Sequence, residues 1–169
     1  MEDNVVFTTI HGSRLYGFSH AGSDYDRFTV FSDDRRARHS VSGELDHVRM
    51  GISRFLELAE GGSHQSVEAL FSPVKEWGSS AWMFRSMLEG MVITGSEVFA
   101  KYERTIKAFA HGDFKRRRHA VRLWLNLKEL REHGLIASVR LDYHSINWAT
   151  FVANTYEGDN LLRVLGMKE

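Results

Sequence analysis

Residues 5–10, Val-Val-Phe-Thr-Thr-Ile, are β-branched and aromatic and are cut off by Gly12 and Ser13, which predicts a strand running into a tight turn. A short helix is expected near Leu15 to Phe18. From Asp24 to Phe31 the chain alternates with a period of two, setting Tyr25, Arg27, Thr29 and Phe31 on one face and Asp24, Asp26, Phe28 and Val30 on the other. Residues 33–36 read as a polar turn, and 41–50 as a further extended segment with Glu44 and Asp46 on the same side.

Beyond residue 50 the period lengthens to that of a helix. Ile52, Phe55, Leu56 and Ala59 recur at helical spacing and stop at Gly61-Gly62, while Ser63 is placed to cap a second helix carrying Val67, Leu70 and Phe71. Further helices are expected at about 80–90, 97–110, 115–133, 144–156 and 159–166, the third of them ending at Gly134. A strand-rich first third and a helical remainder predict an α+β fold, a small mixed β-sheet flanked by helices and followed by a helical C-terminal part. Residues 1–75 are read as the catalytic core and 76–169 as a helical region packed on it.

Composition narrows the chemistry. Cysteine is absent from the 169 residues, which excludes a disulfide framework, a thiolate metal site and cysteine catalysis, and fits a reducing, cytoplasmic location. No apolar run approaches the roughly 20 residues needed to cross a bilayer, so no membrane role is expected. Twenty-two Lys and Arg balance twenty-two Asp and Glu, so any attraction for an anion must be local. Nine histidines offer no His-x-x-x-His pair, which argues against zinc.

The chemistry concentrates in Gly12-Ser13-Arg14-Leu15-Tyr16-Gly17-Phe18 and Ser23-Asp24-Tyr25-Asp26. Glycine lets a backbone approach a phosphate, and Ser13 adds a hydroxyl beside amides at the start of a helix, where anions are favoured. Asp24 and Asp26, two apart on a strand, project to one face and can share a hard cation such as magnesium, or manganese, together with substrate phosphates. A third acid on a neighbouring strand would complete a two-metal arrangement, and the candidates are Asp46 and, in reserve, Glu44. On the helix at 115–133, Lys115, His119, Arg122 and Asn126 form one polar stripe beside the apolar Val121, Trp124, Leu125 and Leu127. Lys115 and Arg122 on that stripe are candidate phosphate or acceptor contacts, and Tyr16 and Tyr25 are candidates for the nucleobase.

These residues resemble the polymerase β-like nucleotidyltransferase superfamily, whose pattern is a helix-opening Gly-Ser, an Asp-x-Asp about a dozen residues on, and a later acid. More narrowly, Gly-Ser-Arg-x-Tyr-Gly followed by Ser-Asp-x-Asp is similar to a group of bacterial and phage predicted nucleotidyltransferases. The similarity runs through Asp46, Arg54-Phe55-Leu56-Glu57-Leu58 and Val67-Glu68-Ala69-Leu70-Phe71, and returns at His119-Ala120-Val121-Arg122-Leu123. The resemblance selects Asp46 over Glu44. It implies that Gly12 and Ser13 hold nucleotide phosphates with Arg14 adding a contact, that Asp24, Asp26 and Asp46 are the catalytic metal ligands, and that Glu68 is a supporting residue. The implied activity is transfer of a nucleoside monophosphate from a nucleoside triphosphate such as ATP to a hydroxyl of RNA, protein or a small molecule, with release of pyrophosphate. The rival readings are a catalytically silent nucleotide- or RNA-binding regulator and an antitoxin-like partner of another protein.

Overall fold

The computed structural model of the protein describes residues 4–167. The described residues form a five-stranded mixed sheet with eight helices, the α+β architecture expected. The strands are β1 (Val5–Ile10), β2 (Tyr25–Phe31), β3 (Arg38–Ser42), β4 (Leu45–Gly51) and β5 (Glu76–Trp77), in the order β3-β4-β2-β1-β5. β2 runs antiparallel to β1 and parallel to β4, and the parallel ladder sets Asp26 directly against Asp46.

Two strands were not foreseen as separate elements. The segment at 41–50 is a hairpin and not one extended run: β3 and β4 pair antiparallel around Gly43, whose φ of +60° is a conformation glycine adopts without a Cβ penalty. Glu44 therefore sits in the turn, exposed, where its carbonyl accepts the Tyr25 N–H at 2.7 Å. β5 is only two residues long, too short for any alternation to show.

α1 (Gly12–Tyr16) starts three residues earlier than expected. It is followed by α2 (Ile52–Glu60), which packs on β4 and β2, and α3 (His64–Phe71), which packs on α2. Ile52, Phe55 and Ala59 recur at spacings of three and four, so α2 buries one stripe, while Arg54 and Glu57 pair at 2.6 Å on its exposed side. Phe55 meets Phe7 of β1 and Phe28 of β2 edge-on, with ring centroids 5.4 and 5.9 Å away. Truncating that fully buried ring to alanine removes a contact worth about 3–5 kcal/mol.

The C-terminal part contains α4 (Ala81–Glu89), α5 (Ser96–Ala110), α6 (Phe114–His133), α7 (Tyr143–Thr155) and α8 (Gly158–Val164). On α5 the buried residues Val98, Tyr102, Ile106 and Ala110 fall every fourth position and line up along α6. Asp113 and Asp142 cap α6 and α7, accepting the N–H groups of Arg116 and Ser145 at 2.8 and 2.7 Å. α6 ends at Gly134, as its sequence predicts. No helix among the described residues is long and apolar enough to cross a membrane.

Candidate active site

The turn from β1 into α1 is fastened to β2, because the His11 N–H donates to the Asp26 carbonyl at 2.8 Å. Gly12 then follows with φ of +63°, so close to the strand that a Cβ there would stand 1.7 Å from Oδ2 of Asp26. The Gly-Ser turn and the second acid of Asp-x-Asp are thus in van der Waals contact. Asp24 lies just ahead of β2, and Arg14 holds that stretch by donating from Nε to the Asp24 carbonyl (3.1 Å) and from Nη2 to the Ser23 carbonyl (2.8 Å). Its guanidinium also lies 5.2 Å from the centre of the Tyr25 ring. Arg14, expected at phosphate, is engaged with the backbone that carries the acids.

Asp24, Asp26 and Asp46 line one wall of a cleft of about 910 Å³, together with Gly12 and Ser13. The other wall is α6, which brings Lys115, Arg118, His119 and Arg122 to the same space. Burial raises the Asp26 carboxyl above its ordinary range, and the Asp46 and Asp24 carboxylates push in the same direction, against Lys115 and Arg14. Charged groups as far apart as Arg14 and Lys115 thus all act on the Asp26 carboxyl. Asp46 is paired with His39 of the edge strand β3, and Glu44 does not line the cleft.

Beneath the cleft lies a buried polar knot centred on Glu68 of α3. Its Oε1 accepts from Nη1 of Arg122 at 2.6 Å and from Nδ2 of Asn126 at 3.4 Å, and its Oε2 accepts the Tyr16 hydroxyl at 2.5 Å. His11 stands 3.6 Å from the same carboxylate, and the Arg122 guanidinium lies 3.6 Å from the centre of the Tyr16 ring. Glu68 and Arg122 are 0% and 1% exposed. Burial alone would raise the Glu68 carboxyl, but the Arg122 guanidinium and the nearby His64 and His11 hold it below its usual value. His11 is lowered to about 4 and His119 to about 3, mainly by burial and with Arg122 adding to it. Both imidazoles are neutral at neutral pH.

The structure brings together Gly12, Ser13, Asp24, Asp26, Asp46 and Lys115 around one cleft. Arg122 is at its base, with its guanidinium bonded to Glu68 and stacked on Tyr16, and Tyr16 is itself buried with its hydroxyl used. Tyr25 is 44% exposed. His39 and Arg118 are among the cleft residues that escape a reading of the sequence: the strand of His39 was not separated from β4, and Arg118 is one of four adjacent cations, set apart by its rings, Phe18 and Phe114.

Among the described residues no group of three or more His, Asp or Glu side chains is arranged to hold a metal ion by itself. The donor set at the cleft is nonetheless the right chemistry for magnesium, which takes one or two carboxylates and completes its shell with water and substrate phosphates. The mutual repulsion that raises Asp26 is what a bound cation would relieve.

The match of a family model assigns the chain to the polymerase β-like nucleotidyltransferases. Within that class the chain belongs to the RlaP family, the RNA repair pathway DNA polymerase beta family, whose family model matches residues 2–164. No curated protein matches the chain.

Proposed function

We propose that this protein is a metal-dependent nucleotidyltransferase that moves a nucleoside monophosphate from a nucleoside triphosphate to a hydroxyl of RNA. The observation that carries the reading is the pairing of Asp26 with Asp46 across the parallel ladder, against the Gly12 turn and within the electrostatic reach of Lys115. The family's description supports RNA as the acceptor.

In this reading Asp24, Asp26 and Asp46 would hold magnesium, which would supply charge neutralisation at the phosphates and make the acceptor hydroxyl more acidic. Gly12 allows the triphosphate to approach the backbone, and Ser13 offers a hydroxyl. Lys115 balances charge on the phosphates from the opposite wall. Arg14 keeps Asp24 in place through the two carbonyls it binds, and Glu68 with Arg122 fixes α6 against α3. The acceptor oxygen bonds to the α-phosphorus as the bond to the β-phosphate oxygen breaks, the hydroxyl proton passes to solvent water, and pyrophosphate leaves. Such a transfer depends on positioning and charge stabilisation more than on a side-chain nucleophile.

The test of the acceptor is label transfer from α-labelled nucleoside triphosphates to RNA oligonucleotides that end in a 3′ hydroxyl or a 3′ deoxy group. Label on the hydroxyl end alone supports RNA as acceptor, and label on neither, with label on protein or small molecules of an extract, contradicts it. A second reading is favoured by the His39–Asp46 pair, which occupies the third acid. A silent nucleotide-binding regulator would bind nucleotide without forming product, and Asp46→Asn would leave it unaltered.

A further inference from the structure

Arg118 differs from Arg117 and Arg122, the arginines of α6 on either side of it that carry hydrogen bonds. Arg117 donates to the carbonyls of Ala153 (2.9 Å) and Gly112 (3.0 Å), and Arg122 is committed to Glu68. Among the described residues no hydrogen bond or ion pair engages the Arg118 side chain, and its Nε is shut away from water with no acceptor. It is held by two aromatic rings instead: the guanidinium carbon lies 4.2 Å from the centre of Phe18 and 5.4 Å from that of Phe114. All three side chains line the cleft, Phe18 from the segment after α1 and Phe114 from the start of α6.

An arginine stacked on rings is fixed in orientation while the N–H edges of its fork remain able to donate, and that fork matches the oxygens of a phosphate. The position along α6 says which phosphate. Lys115 is the cation of α6 that acts on Asp26, where the reacting phosphate is placed in the proposed function. Arg118 comes three residues later, about 4.5 Å along the helix axis. A triphosphate that begins at the acids and passes Lys115 meets Arg118 with its outer end.

We propose that Arg118, clamped between Phe18 and Phe114, receives the outer phosphate of the bound nucleotide and makes the cleft select nucleoside triphosphates over di- and monophosphates. The inference rests on the proposed nucleotidyltransferase reading. It adds a selectivity that neither the acids nor Lys115 supplies, since these meet the inner phosphates that all three nucleotides or two of them share.

Equilibrium titrations with ATP, ADP and AMP as probes, in magnesium and without acceptor, test it apart from turnover. The wild type is expected to bind ATP at least about tenfold more tightly than ADP, the factor that one charge-assisted contact supplies. R118Q should bring ATP to the affinity of ADP and leave AMP unchanged, and R118K should fall between. F114L, which removes one exposed ring of the clamp and spares the arginine, should reduce the ATP-to-ADP ratio less than R118Q does. An unchanged ratio in R118Q, or equal weakening of all three nucleotides, overturns the inference while leaving the wild type a nucleotide binder. Absence of nucleotide binding by the wild type overturns this inference together with the reading on which it rests.

Discussion

A side chain at Gly12 would have to enter the space of the Asp26 carboxylate, with its Cβ 1.7 Å from Oδ2. The turn thus carries two demands that only glycine meets, a φ of +63° and this close approach. Gly12→Ala should therefore displace Asp26 from Asp46. Activity is expected to fall on the order of 100-fold, because small misplacements of reacting groups are that costly. Stability should fall by only about 1–2 kcal/mol, from the positive φ. Steady-state kinetics beside a denaturant melt would check this, and a variant with near-native turnover would contradict it.

Glu68 and Arg122 form an ion pair at 2.6 Å that water does not reach. Removing one partner strands the other charge, so Glu68→Gln and Arg122→Met are each expected to cost about 3–5 kcal/mol. Replacing both with Met should recover much of that loss, since buried pairs return little net stability over apolar packing. A double-mutant cycle in urea measures the coupling. If the double variant is as unstable as the sum of the two single ones, the pair is not a closed unit.

Arg14 holds the carbonyls of Ser23 and Asp24, so its effect on chemistry passes through the position of Asp24. Arg14→Ala should weaken magnesium binding, seen as a several-fold rise in the concentration that gives half-maximal activity. Affinity for nucleotide measured without metal should change little. The reverse pattern would make Arg14 a phosphate ligand, as its place in the motif first implied.

Acid should destabilise the fold in a defined window. His11 is lowered from 6.5 to about 4 and His119 to about 3, chiefly by burial, so the folded state resists protonation that the unfolded chain accepts. Their stabilising contribution is complete above about pH 6.5 and is lost as pH falls toward 4 and then 3. Each histidine contributes a slope of up to about 1.4 kcal/mol per pH unit inside its window. Urea midpoints taken from pH 7.5 to 4.5 would show it, and His119→Asn should flatten the profile.

The Gly-Ser turn, the Asp-x-Asp strand and most helices were legible because each is a local pattern. β1, β2 and the stripe of α2 announce themselves within a few residues through alternation or helical spacing. The knot around Glu68 was not legible to the same degree, since its partners Tyr16 and Arg122 are 52 and 54 residues away. The polar stripe on α6 illustrates the limit of periodicity. His119, Arg122 and Asn126 do share a face, but that face turns inward, and it is polar because Glu68 waits there. Arg118 was hidden for the opposite reason: nothing in a run of four cations tells which of them meets an aromatic clamp.

Asp26 and Asp46 are proposed to form one reactive site. Their joint role is tested most directly by pyrophosphate release and label incorporation with magnesium and an RNA acceptor, comparing the wild type with Asp26→Asn and Asp46→Asn. Product is expected with wild type alone, with a loss of at least about 100-fold in each variant and melting temperatures preserved. Wild-type rates in a folded Asp26→Asn or Asp46→Asn variant would contradict it.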